Sequence, residues 1–191
     1  MQALSLLTRV GLEDEVAEEA KTLARFVGVP WPEFCDIVGQ MRREGVVGKK
    51  GRYLYVTPDL LASWLAAALL NVRADEVHEL LTQLRTAESR DAFFSRLKDI
   101  GTNEKAQSVI QGLLSEQSFP TIEQLDSEES SRILCTLAFA NPQEALRTLE
   151  RTLGTASIER LHSFVRGRRN IVCALEYLKW FKNTFFGAAR L

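Results

Sequence analysis

Residues 34–58 read FCDIVGQMRREGVVGKKGRYLYVTP. In the first half Phe34, Ile37, Val38 and Met41 recur at the spacing of one helix face, which predicts a helix over 32–44 ended by Gly45. In the second half Val46-Val47 and Arg52-Tyr53-Leu54-Tyr55-Val56 are the strand-like runs of the chain. Gly48-Lys49-Lys50-Gly51 lies between them, and glycines at the corners with lysines inside are a hairpin signal. Thr57-Pro58 then opens another helix, with Thr57 as cap and Pro58 at the first helical position.

Upstream, Leu4, Leu6, Leu7 and Val10 predict a short apolar helix over 3–10. Val16, Ala20, Leu23, Ala24 and Val27 predict an amphipathic helix over 13–27, with Glu13, Asp14 and Glu15 at its positive end and Gly28 as its stop. Val29-Pro30-Trp31-Pro32 forces a turn into the next helix. Downstream, Leu61, Trp64, Leu65, Ala68 and Leu69 mark the buried face of the helix after the hairpin, and Trp31, Trp64 and Trp180 read mostly as core aromatics.

From residue 74 onward only helices are expected. Their stripes are Val77, Leu80, Leu81, Leu84, then Phe93, Phe94, Leu97, Ile100, then Val109, Ile110, Leu113, Leu114. A loop is framed by 118–127, and helices follow near 128–140, 142–153, 157–166 and 170–182. Asn141 caps the second of these four, with Pro142 opening it. Short connections make consecutive helices neighbours, as in a helical repeat array. Phe185, Phe186, Ala189 and Leu191 begin a further apolar stripe, which reads as a cut edge or a surface completed by another chain.

The order helix, helix, helix, basic glycine-framed hairpin is the winged-helix arrangement. The runs 34–47 and 51–58 resemble the winged-helix segment behind the ATPase core of bacterial STAND-type P-loop NTPases. PDLLASWLAAAL (58–69) is similar to the helix that follows the wing there, and 130–191 looks like the HEAT-like helical region further on. The expected fold is therefore mostly α: a winged-helix-like domain over 1–72 and a helical repeat-like region over 73–191, truncated at its C-terminus. The phosphate-binding loop of such NTPases is missing. Gly45-Val46-Val47-Gly48-Lys49-Lys50 lacks the four-residue gap between glycines and the Ser/Thr after the lysine. The resemblance implies a part downstream of the motor that transmits or regulates and does not hydrolyse ATP.

Composition agrees with a globular chain of balanced charge: 46% apolar residues and net charge −1 over 191 residues. That balance predicts no general pull toward nucleic acid or anionic lipid. It conceals a gradient, net −1 over 1–70, −5 over 71–140 and +5 over 141–191. Cys35, Cys135 and Cys173 are far apart, sit beside apolar residues and include no CxxC, which suits reduced structural thiols and a cytoplasmic location. The start Met1-Gln2-Ala3-Leu4 does not read as a signal peptide, and the apolar run Leu60–Leu70, interrupted by Ser63, is too short to span a bilayer.

Chemistry has little to work with. His78 and His162 have no nucleophile in a known motif, and no His, Cys and carboxylate group has metal-ligand spacing, so no catalytic residue, cofactor or metal is expected. DNA binding would use helix 32–44, whose exposed side offers Glu33, Asp36, Gln40 and Arg43, together with Lys49, Lys50 and Arg52 of the wing. The two carboxylates oppose the phosphate attraction that dominates such binding. A second basic group, Arg166, Arg168 and Arg169, and an aromatic cluster, Trp180, Phe181, Phe185 and Phe186, are candidate partner contacts. The leading expectation is a non-catalytic protein-interaction segment of a larger NTPase-like protein. Its partner would be other domains of the parent chain or a separate protein, not a membrane. The alternative is a winged-helix DNA-binding regulator with a helical sensing or dimerising domain.

Overall fold

The computed structural model describes residues 1–115, 119, 121–154, 156–167 and 176–177. The chain is mostly helical with one small antiparallel sheet of three strands. It forms two compact units, Met1–Val109 and Ile110–Leu191.

The first unit begins with α1 (Gln2–Ser5), β1 (Val10–Gly11), α2 (Ala17–Phe26) and α3 (Trp31–Arg43). β2 (Val47–Lys50), β3 (Tyr53–Val56) and α4 (Asp59–Arg73) follow. α2 and α3 end as their glycines predict. Gly28 and Gly45 have φ of 70° and 76°, a region that L side chains enter at a cost. Each closes a Schellman pattern, with Gly28 N–H on Arg25 O and Val29 N–H on Ala24 O, and Gly45 N–H on Arg42 O and Val46 N–H on Met41 O.

The hairpin pairs Val47 with Val56, Gly48 with Tyr55, Lys49 with Leu54 and Lys50 with Tyr53. Its turn is therefore tighter than 48–51: Gly48, Lys49 and Lys50 belong to the strand. β1 adds on the other side of β3, Val10 against Leu54 and Gly11 against Tyr53, so the sheet order is β1-β3-β2. The predicted helix 3–10 is corrected by this strand; the helix stops at Ser5 so that Val10 can bury against the sheet. The predicted helix 13–27 begins as a 3-10 turn, Asp14–Val16, before α2. Thr57 does not cap α4, which starts one residue later behind a cis Thr57-Pro58 peptide.

α5 (Val77–Gln83), α6 (Ala87–Asp99) and α7 (Glu104–Leu113) come next. The first compact unit runs on through α5 and α6 to Val109, within α7. The reason is visible in bonds that reach back to the first strands and helices. Thr8 N–H donates to Ala92 O at 3.2 Å, Thr86 Oγ1 donates to Glu19 Oε1 at 3.3 Å, and Arg96 Nη1 donates to Ser63 Oγ at 3.0 Å. Leu80, Leu84, Phe93 and Leu97 are buried along with Leu23, Leu54 and Leu70.

The second unit contains α8 (Ile122–Leu125), α9 (Glu128–Ala140), α10 (Pro142–Gly154) and α11 (Ile158–Gly167). α8 occupies the segment expected to be loop, because Ile122 and Leu125 are buried and draw it into one helical turn. α9 and α10 match expectation, with Ser127 Oγ accepting from Ser130 N–H and Asn141 Oδ1 from Glu144 N–H, both at 3.0 Å. Two buried hydroxyls on α10 tie down chain outside it: Thr148 Oγ1 donates to Leu114 O at 2.7 Å and Thr152 Oγ1 to Phe119 O at 3.1 Å. Of the expected helix 170–182 only Glu176 and Tyr177 are described, and both are helical; the rest of it and the aromatic stripe beyond lie outside the described residues. Among the described residues no helix is long and apolar enough to cross a membrane.

Candidate protein-contact surface

The residues expected to meet DNA are exposed but do not form one basic face. Side chains alternate along a strand, so adjacent Lys49 and Lys50 fall on opposite faces of the sheet. Lys49 shares the inner face with its partner Leu54 and pairs at the rim with the carboxylate of Glu13. Lys50 shares the outer face with Tyr53, over whose ring the guanidiniums of Arg9 and Arg52 lie at 4.9 and 5.6 Å. Also on that face, the ring of Tyr55 lies against Gly48, filling the place a side chain would take. On α3 the exposed polar residues are Glu33, Asp36, Gln40, Arg42 and Arg43, and Gln40 Nε2 donates to Glu44 Oε1 at 2.8 Å. The helix thus presents two acidic residues before it reaches its two arginines.

Of the second basic group, Arg166 is exposed; Arg168, Arg169, Trp180, Phe181, Phe185 and Phe186 lie outside the described residues. His78 and His162 are exposed, and among the described residues no three His, Cys, Asp or Glu side chains gather as a metal site.

A cleft of about 520 Å³ opens beside Arg25, Phe26, Gly28, Arg73, Glu76 and Arg85. Two of its cations, Arg25 and Arg73, already have partners. Arg73 Nη1 donates to Glu76 Oε2 at 2.7 Å and to Phe26 O at 2.9 Å, so it neutralises a carboxylate and caps the end of α2. Arg25 lies 3.9 Å from Glu18. The hydrogen bond from Lys21 holds Glu18 below the usual carboxylate range, helped by the charges of Lys21, Arg25 and Arg85.

α4 is different. No charged residue stands between Asp59 and Arg73. One side of this run is core: Ala62, Leu65, Ala66, Leu69 and Leu70 are buried. On the other side Leu60 is 82% exposed, Trp64 65% and Val72 80%. Trp64, expected in the core, is thus a surface residue. Large apolar side chains grouped on a solvent face mark contact sites in soluble proteins. The signal was present in the sequence as the absence of charge over 60–72; periodicity could not find it, because a helix apolar all round has no polar stripe to define its outside.

Arg96 on α6 holds this helix from beneath. Its side chain is 3% exposed, donates to Ser63 Oγ, and faces Asp59 and Asp99, each at 3.6 Å. The start of α4 is therefore anchored from within while its outer residues stand in solvent.

Cys35 on α3 is half-buried, and desolvation, with the neighbouring charge of Asp36 as a smaller cause, raises its thiol pKa above the ordinary value. At pH 7–8 it is expected to alkylate more slowly than a free thiol, with the rate climbing as pH rises through the raised pKa. Peptide-resolved mass spectrometry of iodoacetamide adducts checks this; a rate at or above that of a free cysteine contradicts it.

No family model, no curated protein and no solved structure matches this chain.

Proposed function

We propose that the chain is a non-catalytic, regulatory protein-interaction segment of a larger NTPase-like protein, its first part a winged helix that contacts protein. The observation that carries this reading is the uncharged outer face of α4, with Leu60, Trp64 and Val72 in solvent directly after the hairpin. The element order α1-β1-α2-α3-β2-β3 and the sheet order β1-β3-β2 support the winged-helix part. The successive helices α9, α10 and α11 support a repeat-like region behind it. The partner is another domain of the parent chain or a separate protein.

A DNA-binding regulator is the second reading, favoured by the exposed Arg42, Arg43, Lys50 and Arg52. It is weakened by Glu33 and Asp36 on the same helix and by the pairing of Lys49 with Glu13. Fluorescence anisotropy with random-sequence duplex DNA separates the two. The protein-contact reading expects no salt-sensitive binding even at low salt. Binding that falls steeply with salt and is lost in the Lys49→Ala/Lys50→Ala/Arg52→Ala variant would replace it with the regulator reading.

A further inference from the structure

We propose that the outer face of the β1-β3-β2 sheet binds single-stranded nucleic acid; this face uses none of the exposed residues of α4 and so goes beyond the protein-contact reading. The register decides which residues share it. Lys50 pairs with Tyr53 and Gly48 with Tyr55, so these four positions face one way, while Lys49 pairs with Leu54 and faces the other. Arg9 joins the outer set. It stands two residues before Gly11, the partner of Tyr53, and its guanidinium lies 4.9 Å from the centre of the Tyr53 ring. The guanidinium of Arg52 lies 5.6 Å from the same centre. Three exposed cations thus gather about one ring.

Among the described residues none of the three has a carboxylate partner, whereas Lys49 is held by Glu13. Asp14 and Glu15 also follow β1, so two carboxylates stand against three cations at this end of the sheet. Tyr53 keeps two of the cations in place, and Tyr55 is the open ring. It is 42% exposed and rests on Gly48, which has no side chain to stand above it. Unpaired cations beside an open ring suit a single strand: the cations take phosphates and the ring stacks on a base of any kind. A duplex cannot use the ring, because its bases are already stacked and paired. An acidic peptide would take the cations and leave the ring unused.

Fluorescence anisotropy of the whole chain with labelled oligothymidylate and oligouridylate of about 16 nucleotides, over a salt series, tests the assignment. Salt-sensitive binding of either supports it. With three phosphate contacts at about −0.7 each, the logarithm of the binding constant should fall against that of salt with a slope of about −2. Arg9→Gln/Lys50→Gln should reduce the slope to about −0.7. Tyr55→Ala should weaken binding about tenfold or more, and Tyr55→Phe, which keeps the ring, should bind like the parent. Urea unfolding checks that each variant is folded; should Tyr55→Ala fail to fold, the slope of Arg9→Gln/Lys50→Gln decides. Arg42→Gln/Arg43→Gln on α3 is the control and should bind like the parent. No binding at low salt overturns the proposal, as does binding that survives the sheet variants or is lost in the α3 control. Displacement by an unlabelled duplex overturns the single-strand assignment. Displacement by polyglutamate as readily as by unlabelled oligothymidylate, with Tyr55→Ala unaffected, overturns the nucleic-acid assignment. The outer face of α4 takes no part in this binding, so a failure here leaves the protein-contact reading standing.

Discussion

Gly11→Ala is expected to destabilise the first unit by about 3 kcal/mol or more, at the upper end for overpacking. A Cβ on Gly11 would stand 2.4 Å from Val16 Cβ and 2.5 Å from Val16 O. A side chain can rotate away, but the carbonyl belongs to the 3-10 turn that leads into α2, so backbone must move. That movement has a second cost. Gly11 N–H donates to Glu19 Oε2 at 2.7 Å, and Glu19 is buried at 6% exposure. Shifting β1 strips this carboxylate of its backbone donor and leaves Thr86 to hold it, a loss of about 1–3 kcal/mol for a buried charged group. Urea unfolding should show a midpoint lower by about a molar or more at unchanged slope. A midpoint within experimental error of the parent would mean that the turn at Val16 yields freely, and the account of β1 as a pinned strand would fall.

Phe93→Ala is expected to cost about 3–5 kcal/mol. Phe93 on α6 is 1% exposed and meets the edge of Phe94 at 5.9 Å, with the rings 73° apart. Truncation removes a large ring from a filled site and leaves a cavity the neighbours close only in part. The informative readout is where the loss is felt. If residues 1–109 are one cooperative unit, hydrogen exchange at the amides of β2 and β3 speeds up along with exchange in α6. If α6 belonged to a separate second domain, the hairpin would keep its protection. Phe139→Ala, at a ring 52% exposed in the second unit, should change little by comparison.

How much of this was legible depends on how local the cause is. α3 and the hairpin follow from residues within a few positions of one another: a four-residue stripe, a terminating glycine and two strand runs around a turn. α9 and α10 follow for the same reason, each starting at its own cap. β1 was not legible, since a strand of two residues has no alternation to read and exists only because β3 offers it an edge. The tie between the first helices and α6 was not legible either, because its bonds join residues such as Glu19 and Thr86, which no local pattern links. For the candidate sites the register mattered. Reading 48–51 as a turn placed Lys49 and Lys50 on a common tip; the register draws both into β2 and puts them on opposite faces. Trp64 was misplaced because apolar residues surround α4, and only packing by its neighbours selects the side that stays wet.

The reach of Glu19 has a meaning for inheritance as well as stability. Its carboxylate joins Gly11 to Thr86, across the point where a winged-helix cassette would be expected to end. Residues 1–72 are therefore not a transplantable part: moved alone into another protein, they would carry a buried charge without one of its partners and a first strand without Ala92 to receive Thr8. A piece that keeps these bonds has to run through α6 at least. Any lineage that shuffles this domain has to carry α5 and α6 with it.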